Sequence, residues 1–360
     1  MTEPIGVGIV GLSASRGWAA TAHLPALRAQ PEAFELRASC GSTPASGAAG
    51  ATAHGVPTGC ADVEELVRRP DVDLVVITVK VPHHEALAGA ALEAGKAVLC
   101  EWPLGNGTAE AERLAALACA KNVPAFVGLQ ARAAPPIRMV RELVRSGAIG
   151  DVVSTSVLGS GDRWGPTTDD AGVYLLDEAN GATLMTIPFG HTIDAVCTSL
   201  GEFVDVTATT ATRRSTAVHA RTGEHVPMTA ADQIAVTGVL ESGAVAAVHY
   251  RGGRSASTNF LWEINGTDGD IVVRGETGHL QYGRVEVLLA EGAGSPLAPR
   301  AVPDRLVDVA LDAQSPGYTV AQAYAVIARD LRTGTTEAPT FDDAVARHRM
   351  LDTIRDAARR

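Results

Sequence analysis

A short loop near the N-terminus has the residue types that can bind an anion through the backbone. The loop is Gly11-Leu12-Ser13-Ala14-Ser15-Arg16-Gly17, between the apolar run 5–10 and a helical pattern rich in Ala and Leu. A turn placed between a strand and a helix leaves backbone N–H groups facing a pyrophosphate. The formal G-x-G-x-x-G match at Gly6, Gly8 and Gly11 is rejected, because these glycines precede the end of the strand. The sequence predicts dinucleotide binding at residues 11–17; the alternative is a connector that binds nothing.

The residues after the second predicted strand, 34–40, indicate which dinucleotide is bound. No Asp or Glu stands where a carboxylate would accept hydrogen bonds from the adenosine ribose. The hydroxyls of Ser42 and Thr43 could instead bond a 2′-phosphate, with positive charge supplied by Arg16 or Arg37. NADP(H) is therefore favoured, and NAD(H) is the alternative.

Two further segments carry side chains suited to proton transfer or metal binding. Lys80 follows the apolar strand 73–79, and the carboxyl ends of strands in a doubly wound sheet meet at one crevice. Lys80 is either a group that handles a proton there or an ammonium that reaches solvent. His83 and His84 are adjacent, and no third ligand has suitable spacing, so we expect no metal.

Alternating strands and helices must position these residues. Further strands are predicted at 73–79, 97–100 and 125–130, and helices after the Asp62 cap, at about 84–94 and at 108–121. The stretch GSTPASGAAGA after the second strand is compatible with a loop or a short helix. Such alternation predicts a parallel, doubly wound sheet, and hence a Rossmann dinucleotide-binding domain over residues 1–130.

Beyond residue 150 the pattern changes to long alternating β segments with SG and DG turn signals. This pattern predicts a second α/β domain over residues 131–360, built on a large, mostly antiparallel open sheet for substrate binding and oligomerisation. Two C-terminal helices, at about 319–331 and 341–358, are expected to pack back against one of the domains.

The charge, the cysteines and the apolar runs of the sequence exclude several classes of binding partner. The formal net charge is −11, without a dense basic cluster, so nucleic acid is not an expected partner. The five cysteines are scattered and form no C-x-x-C pair, which is typical of reduced thiols. No long apolar run or signal segment is found, so we expect a cytoplasmic protein with no membrane partner.

Several motifs along most of the chain resemble one family of oxidoreductases. They are Val98-Leu99-Cys100-Glu101-Trp102-Pro103-Leu104, Pro82-x-His84, Gly181-(x)9-His191-x-x-Asp194 and Asn265-Gly266-Thr267-Asp268-Gly269. Together they resemble the glucose-fructose oxidoreductase, inositol dehydrogenase and MocA (Gfo/Idh/MocA) family. Gly11–Ala20, Tyr174–Gly181 and Phe189–Asp194 are similar to its branch that contains the fungal galactose-pathway repressor.

This resemblance implies an NAD(P)-dependent enzyme that interconverts hydroxyl and carbonyl on a sugar, cyclitol or related polyhydroxylated metabolite. It also implies self-association as a homodimer or homotetramer. The repressor branch implies the alternative of a catalytically silent regulator that senses a dinucleotide or sugar. The family's usual lysine and carboxylate are replaced here by Trp102 and Ile187.

The residue patterns above and this resemblance together assign residues to roles. His191 is expected to handle the substrate proton, because a histidine pKa suits that task; otherwise it caps a helix. The catalytic candidates are His191, Lys80 and Asp177. The residues expected to contact the cofactor are Gly11, Ser13, Ala14, Arg16, Gly17, Trp18, Ser42, Thr43, Val79, Pro82, His84, Glu101, Trp102, Pro103 and Gln130. Those expected to contact substrate are Trp102, Arg163, Trp164, Tyr174, Asn180 and His191.

Overall fold

The structure is a computed structural model that describes residues 3–292 and 294–359. It divides into two compact units: the chain up to Ala133 with Asp308–His348, and Ala134–Val307 with the residues from Arg349 onward. The sequence predicted one boundary near residue 130, with the C-terminal helices of the second domain packing back against one of the two domains. The chain instead returns to the first unit after residue 307.

The first unit contains a six-stranded parallel sheet. Its strands are β1 (Ile5–Val10), β2 (Phe34–Cys40), β3 (Thr58–Cys60), β4 (Leu74–Ile77), β5 (Ala97–Glu101) and β6 (Ala125–Gly128). Their order is β3-β2-β1-β4-β5-β6. The order reverses at β1 and β4, so the loops after these strands open the crevice where such sheets bind ligands. The predicted Rossmann topology is confirmed.

Helices follow most of these strands and continue into the rest of the chain. They are α1 (Leu24–Arg28), α2 (Pro44–His54), α3 (Val63–Val67), α4 (His84–Glu93), α5 (Thr108–Lys121), α6 (Pro135–Arg145), α7 (Gly190–Leu200), α8 (Gly317–Thr333) and α9 (Phe341–Ala357). Wide π-helical turns lead directly into two of them, Ala19–His23 into α1 and Met185–Phe189 into α7.

Local capping explains where two of the helices begin. The stretch that the sequence left open is helical from Pro44, because Thr43 and Ser46 cap its first turn reciprocally. The predicted Asp62 cap is confirmed, since Oδ1 of Asp62 accepts a 2.8 Å hydrogen bond from the N–H of Glu65. The Glu65 carboxylate reaches back to the N–H of Ala61 at 2.7 Å.

Burial of apolar side chains explains why the chain returns to the first unit. Helix α8 buries Val320, Tyr324 and Ile327 in the same cluster as Val7 and Leu24 of the Rossmann unit. A helix with a buried apolar stripe is placed by the surface that covers it, and not by its position along the chain. The boundary between the two units then falls within α9, after residue 348.

The second unit is built on the strands from β7 onward. They are β7 (Val152–Gly161), β8 (Thr167–Thr168), β9 (Phe203–Ala211), β10 (Thr216–His219), β11 (His225–Pro227), β12 (Gln233–Leu240), β13 (Val245–Gly252), β14 (Phe260–Gly266), β15 (Gly269–Gly275), β16 (Val285–Glu291) and β17 (Ala298–Pro299). The large sheet has the order β17-β16-β15-β14-β7-β13-β12-β9, and a small sheet has the order β11-β10-β8.

Within the large sheet β7 and β13 run parallel, and the other neighbouring pairs run antiparallel. Hairpins join β12 to β13 and β14 to β15 at the SG and DG turn signals. The expected large, mostly antiparallel sheet is confirmed. Among the described helices, none has the length and apolar character needed to cross a membrane.

Candidate functional site

The predicted glycine loop follows β1 directly. Gly11 has φ +101°, and a Cβ there would lie 2.9 Å from Cγ1 of Val79 and 3.0 Å from Oγ1 of Thr78. Only glycine therefore fits between the end of β1 and the segment that follows β4. Gly6 and Gly8 lie inside β1, where a Cβ on each would meet neighbouring atoms within 3 Å. They are packing glycines that precede the end of the strand, as the sequence predicted.

The rest of the loop offers hydrogen-bond donors. Over the described chain, the N–H groups of residues 12–17 donate to no backbone or side-chain acceptor. The carbonyl of Ser13 accepts from Nε2 of His54 at 2.9 Å, which ties the loop to the end of α2. A Cβ on Gly17 would meet nothing within 4 Å. Open space beside free N–H groups suits a pyrophosphate.

A buried side chain after β6 provides a second indication of a ligand. Gln130 is 3% exposed, and its Oε1 has no hydrogen-bond partner within the described residues. A buried amide oxygen without a partner is costly unless a bound group or water donates to it. Like the glycine loop, Gln130 follows the carboxyl end of a parallel strand. These observations fit a dinucleotide.

The loop after β5 is held in place by two histidines. Nε2 of His23 lies 3.0 Å from Oε1 of Glu101, and its Nδ1 lies 2.7 Å from the hydroxyl of Tyr324. The Trp102–Pro103 peptide is cis, which gives this loop an unusual backbone turn. His84 bridges the carbonyl of Pro103 at 2.8 Å and that of Val79 at 3.0 Å.

His84 therefore differs from its expected role as a cofactor contact. Both ring nitrogens already face protein carbonyls, and burial lowers the pKa of the imidazole. The ring holds the segments after β4 and β5 together. Trp102 also differs from expectation, because its indole is 4% exposed and packs 4.7 Å from the ring of His348. In this structure it fills a core position and presents no open face.

The other residues predicted to contact the cofactor lie along the same edge of the sheet. Ala14, Arg16, Gly17, Ser42, Thr43 and Pro82 are exposed, and Ser13, Trp18, Val79 and Glu101 are partly buried. The Thr43 hydroxyl caps α2, and Arg37 pairs with Glu35 at 2.7 Å. Lys80 is exposed just after β4.

In the second unit, His191 lies near the start of α7. The imidazole is 3% exposed, and its buried Nδ1 has no hydrogen-bond partner in the described chain. Burial is the main cause that lowers the pKa of His191 to about 3, opposed by Asp194 and reinforced by His279. Because the helix continues back through the π-helical turn, His191 does not cap it. Among the residues that the structure describes, His191 is thus a neutral imidazole whose buried Nδ1 has no hydrogen bond.

Trp164 differs from its expected role as an accessible substrate contact. Its indole is 1% exposed, and Nε1 donates to the carbonyl of Leu175 at 2.9 Å. A side chain buried to this degree stabilises the loop that it anchors. The burial of Trp164 could not be predicted from the sequence, since tryptophan occurs both in cores and in sugar sites.

Replacing Trp164 by phenylalanine is expected to lower the free energy of unfolding by about 1 to 3 kcal/mol, because the Leu175 carbonyl loses its donor. Urea denaturation of the two proteins measures this loss. Dinucleotide affinity, followed by fluorescence titration, should stay unchanged. Unaltered stability combined with a raised KM would instead identify Trp164 as a substrate contact.

The remaining predicted residues of this loop bond to one another or to nearby residues. Asn180 and Tyr174 exchange two hydrogen bonds with each other's carbonyls, at 2.8 and 3.3 Å. Asp177 is exposed, and its Oδ1 accepts from the N–H of Ala179 and the hydroxyl of Thr229, both at 3.1 Å. Arg163 pairs with Asp169 at 2.9 Å. These contacts shape a loop, and they give Asp177 a capping role that the sequence did not indicate.

Two residues near His191 were missed by sequence reasoning. The hydroxyl of Tyr250 lies 2.6 Å from Oγ1 of Thr192 and donates to the carbonyl of Gly278 at 3.0 Å. His279 is buried in the segment between β15 and β16. No spacing or motif marks either residue, because β13, which carries Tyr250, and the segment that carries His279 are distant in sequence from His191. Among the described residues, no cluster of three or more His, Cys, Asp or Glu is arranged to hold a metal ion.

A parallel sheet with a glycine loop, joined to a unit built on a mostly antiparallel sheet, defines the class of two-domain proteins with an NAD-binding Rossmann fold. Residues 5–129 match the model of the oxidoreductase family with an NAD-binding Rossmann fold (GFO_IDH_MocA), and residues 135–275 match that of the Gal80p C-terminal domain. The first unit is thus similar to the NAD-binding domain of that family, and much of the second unit is similar to the Gal80p C-terminal domain.

Known relatives include both dehydrogenases and regulators. Dehydrogenase aclE of Aspergillus oryzae is 41% identical over 215 residues, which are 58% of this chain and 58% of that protein. The galactose/lactose metabolism regulatory protein GAL80 of Kluyveromyces lactis is 29% identical over 302 residues, which cover 78% of this chain and 66% of that protein. The matches to these two relatives thus span less than two thirds of each relative's length.

Solved structures show the same fold. A super-repressor mutant of Gal80p from Saccharomyces cerevisiae superposes with a TM-score of 0.89 at 23% identity, covering 99% of this chain and 96% of that one. Levoglucosan dehydrogenase in complex with NADH and levoglucosan gives a TM-score of 0.85 at 22% identity, covering 99% and 97%.

Proposed function

We propose that this protein is an NAD(P)-dependent oxidoreductase that interconverts a hydroxyl and a carbonyl on a sugar, cyclitol or related polyhydroxylated metabolite. The observation that carries the proposal is His191. Its imidazole is buried and neutral, and its Nδ1 has no partner among the described residues. A neutral imidazole without a structural bond is available to take a proton from a hydroxyl group.

The first unit supplies the cofactor site in this proposal. The N–H groups of residues 12–17 bind the pyrophosphate, and the Oε1 of Gln130 accepts a hydrogen bond from the dinucleotide. Gly11 keeps the backbone close to the segment after β4. A nicotinamide dinucleotide, when bound, accepts or donates the hydride of the reaction.

The second unit supplies proton handling and substrate binding. In the direction of oxidation His191 accepts the hydroxyl proton, and in the direction of reduction it returns that proton to the oxygen. Trp102 of the first unit, at the place of the family lysine, has an indole N–H that can donate a hydrogen bond but transfers no proton at neutral pH. The proposed chemistry therefore rests on histidine.

The experiment is a turnover assay on the full chain. The absorbance of reduced nicotinamide is followed with NADPH or NADP⁺ and a panel that includes levoglucosan, L-sorbose and 1,5-anhydro-D-fructose, sugars named for relatives and neighbours. We expect turnover with at least one polyhydroxylated compound. Tight dinucleotide binding without turnover on a broad panel would contradict the proposed activity.

We expect NADPH to bind about tenfold more tightly than NADH, since a charge-assisted bond to a 2′-phosphate contributes about 1.5 to 3 kcal/mol. Exposed Arg16 and Ser42 are the proposed donors. Ser42→Asp should weaken NADPH binding without weakening that of NADH, whereas Ala49→Asp, which adds the same charge on exposed helix α2, should change neither. Calorimetric titration measures both affinities. NADH binding at least as tightly as NADPH would refute the preference.

The Gal80p-like second domain favours a second candidate function. In this alternative the protein is a catalytically silent regulator, in which a bound dinucleotide or sugar changes affinity for a protein partner. The match of residues 135–275 to the Gal80p domain and the replacement of the family lysine by Trp102 support it. Absence of turnover together with dinucleotide-dependent capture of a protein would decide for it.

Self-association is the remaining part of the proposal. The large sheet has one face whose residues, such as Leu158, Thr237 and His249, line a shallow hollow. We propose that a homodimer or homotetramer covers this face. A monomeric mass in light scattering at micromolar concentration would contradict it.

A further inference from the structure

The start of α7 is tied to the segment between β15 and β16 through one hydroxyl group. The Tyr250 hydroxyl lies 2.6 Å from Oγ1 of Thr192 and donates to the carbonyl of Gly278 at 3.0 Å. Thr192 follows His191 in the chain, and Gly278 precedes His279. The tyrosine thus links the backbone segments that carry two buried histidines.

This arrangement is held by close packing. A Cβ on Gly278 would lie 1.6 Å from the carbonyl oxygen of Ser160, and a Cβ on Gly159 would lie 2.1 Å from the ring of Tyr250. The segment before His279 and the ring of Tyr250 therefore both rest directly on β7. The ring of Phe189 also packs edge-on against Tyr250, with centroids 5.8 Å apart. Side chains held in this way are preorganised for binding.

The hydrogen bonds of His279 define what its ring can donate. Nδ1 lies 3.0 Å from the amide nitrogen of Gln281, which donates, so the neutral ring carries its own proton on Nε2. That Nε2 has no acceptor within the described residues. The ring also stacks on Tyr282, with centroids 4.5 Å apart and an interplanar angle of 22°.

Electrostatics keep both histidines neutral. Burial is the main cause that lowers the pKa of His279, to about 4, and Asp162 opposes this shift. His279 also contributes to lowering the pKa of His191, as two nearby cations would repel each other. At neutral pH the two rings together therefore offer one N–H donor on His279 and an acceptor nitrogen on His191.

We infer that His279 is a second substrate-binding residue of the proposed site, and that its Nε2–H donates a hydrogen bond to an oxygen of the polyhydroxylated substrate. A hydroxyl group is both a donor and an acceptor, so an acceptor on His191 and a donor on His279 are complementary to it. The inference rests on the proposed function and extends it to a residue that the family motifs do not mark.

The test uses binding as well as turnover. In the full chain labelled with ¹⁵N-histidine, imidazole spectra report the tautomer of each ring, and variants at positions 191 and 279 assign the signals. We expect His279 in the Nε2–H form, and we expect levoglucosan, L-sorbose or 1,5-anhydro-D-fructose to shift both His279 and His191. No shift of His279 with any of the three sugars would overturn the inference.

A second experiment measures sugar affinity in variants of His279. His279→Phe keeps a ring against Tyr282 but removes the donor, and should weaken sugar affinity about tenfold, the cost of one unpaired buried hydrogen bond. His279→Gln keeps an N–H group and should recover part of that affinity. It also replaces His279→Phe as the test variant if the latter folds poorly. NADPH affinity should stay unchanged in both. His225→Gln, at an exposed histidine of β11, is the matched control.

The outcomes separate this inference from the proposed function. Sugar-dependent shifts of both histidines without turnover in the wild type would refute the enzyme and retain the donor role of His279. Turnover in the wild type with unchanged sugar affinity and KM in His279→Phe would refute the donor role and retain the enzyme.

Discussion

Replacing His191 by asparagine is expected to lower kcat/KM of the proposed reaction by about 100- to 10,000-fold, the usual contribution of a positioned general base. Asparagine is polar and close in size at the position of Nδ1, but its amide takes no proton at neutral pH. Dinucleotide affinity should be unchanged, because the proposed donors to the cofactor lie in the other unit. Steady-state kinetics and calorimetric titration measure the two quantities.

The matched control is His225→Asn. His225 is exposed on the small sheet, where its Nδ1 lies 3.3 Å from the hydroxyl of Thr216. It should retain wild-type kinetics. If His191→Asn turns over as fast as this control, the proton is handled by another group and the proposed mechanism is wrong.

The lowered pKa of His191 also predicts how the effect depends on pH. Since the folded-state pKa is about 3, the base form persists throughout the neutral range, and His191 itself should cause no loss of kcat between about pH 5 and 8. In the unfolded chain the same group titrates near 6.5. The unfolded state therefore binds more protons below that pH, and stability falls as the pH decreases toward 3. His191→Asn should reduce this acid-induced loss in urea denaturation.

Replacing Gly11 by alanine is expected to cost about 2 to 5 kcal/mol of stability and to weaken dinucleotide binding at least about tenfold. The backbone at φ +101° is strained for any other residue, and the new Cβ would lie 2.9 Å from Cγ1 of Val79 and 3.2 Å from the Thr78 carbonyl oxygen. Relief of this contact displaces the loop whose N–H groups are the proposed donors to the pyrophosphate. Urea denaturation and NADPH titration measure the two effects.

Gly55→Ala is the matched control for Gly11→Ala. Gly55 also has a positive φ, +65°, at the end of α2, and a Cβ there would meet nothing within 4 Å. Its replacement should cost about 1 kcal/mol through backbone conformation alone and leave NADPH affinity intact. Equal stability and equal affinity of the two variants would show that the close approach at Gly11 has no role in binding.

Much of the first unit could be predicted from the sequence because its signals are local. The helix predicted at 108–121 has those bounds in the structure, and Asp62 caps α3 through a residue three positions away. The strand predicted at 73–79 is shorter, Leu74–Ile77. An apolar run shows where the chain is buried, whereas the length of a strand depends on pairing with its neighbours, here β1 and β5.

The candidate site was predicted less completely, because only some of its residues are marked by local signals in the sequence. His191 and the glycine loop carry recognisable neighbours in the chain, so motif and resemblance located them. Trp164 and Asp177 have side chains suited to a sugar site, but their hydrogen bonds to Leu175 and Thr229 give them structural roles. Residue type alone does not distinguish a satisfied polar group from an available one.

The sequence by itself determined the Rossmann topology of the first unit and the position of the glycine loop directly after β1. Only the tertiary structure decided that α8 belongs to the first unit and that His191 has an unpartnered buried nitrogen within the described chain. It alone showed that Tyr250 links the segments carrying His191 and His279. Capping and periodicity act over a few residues, whereas burial and hydrogen bonding join residues that are far apart in the chain.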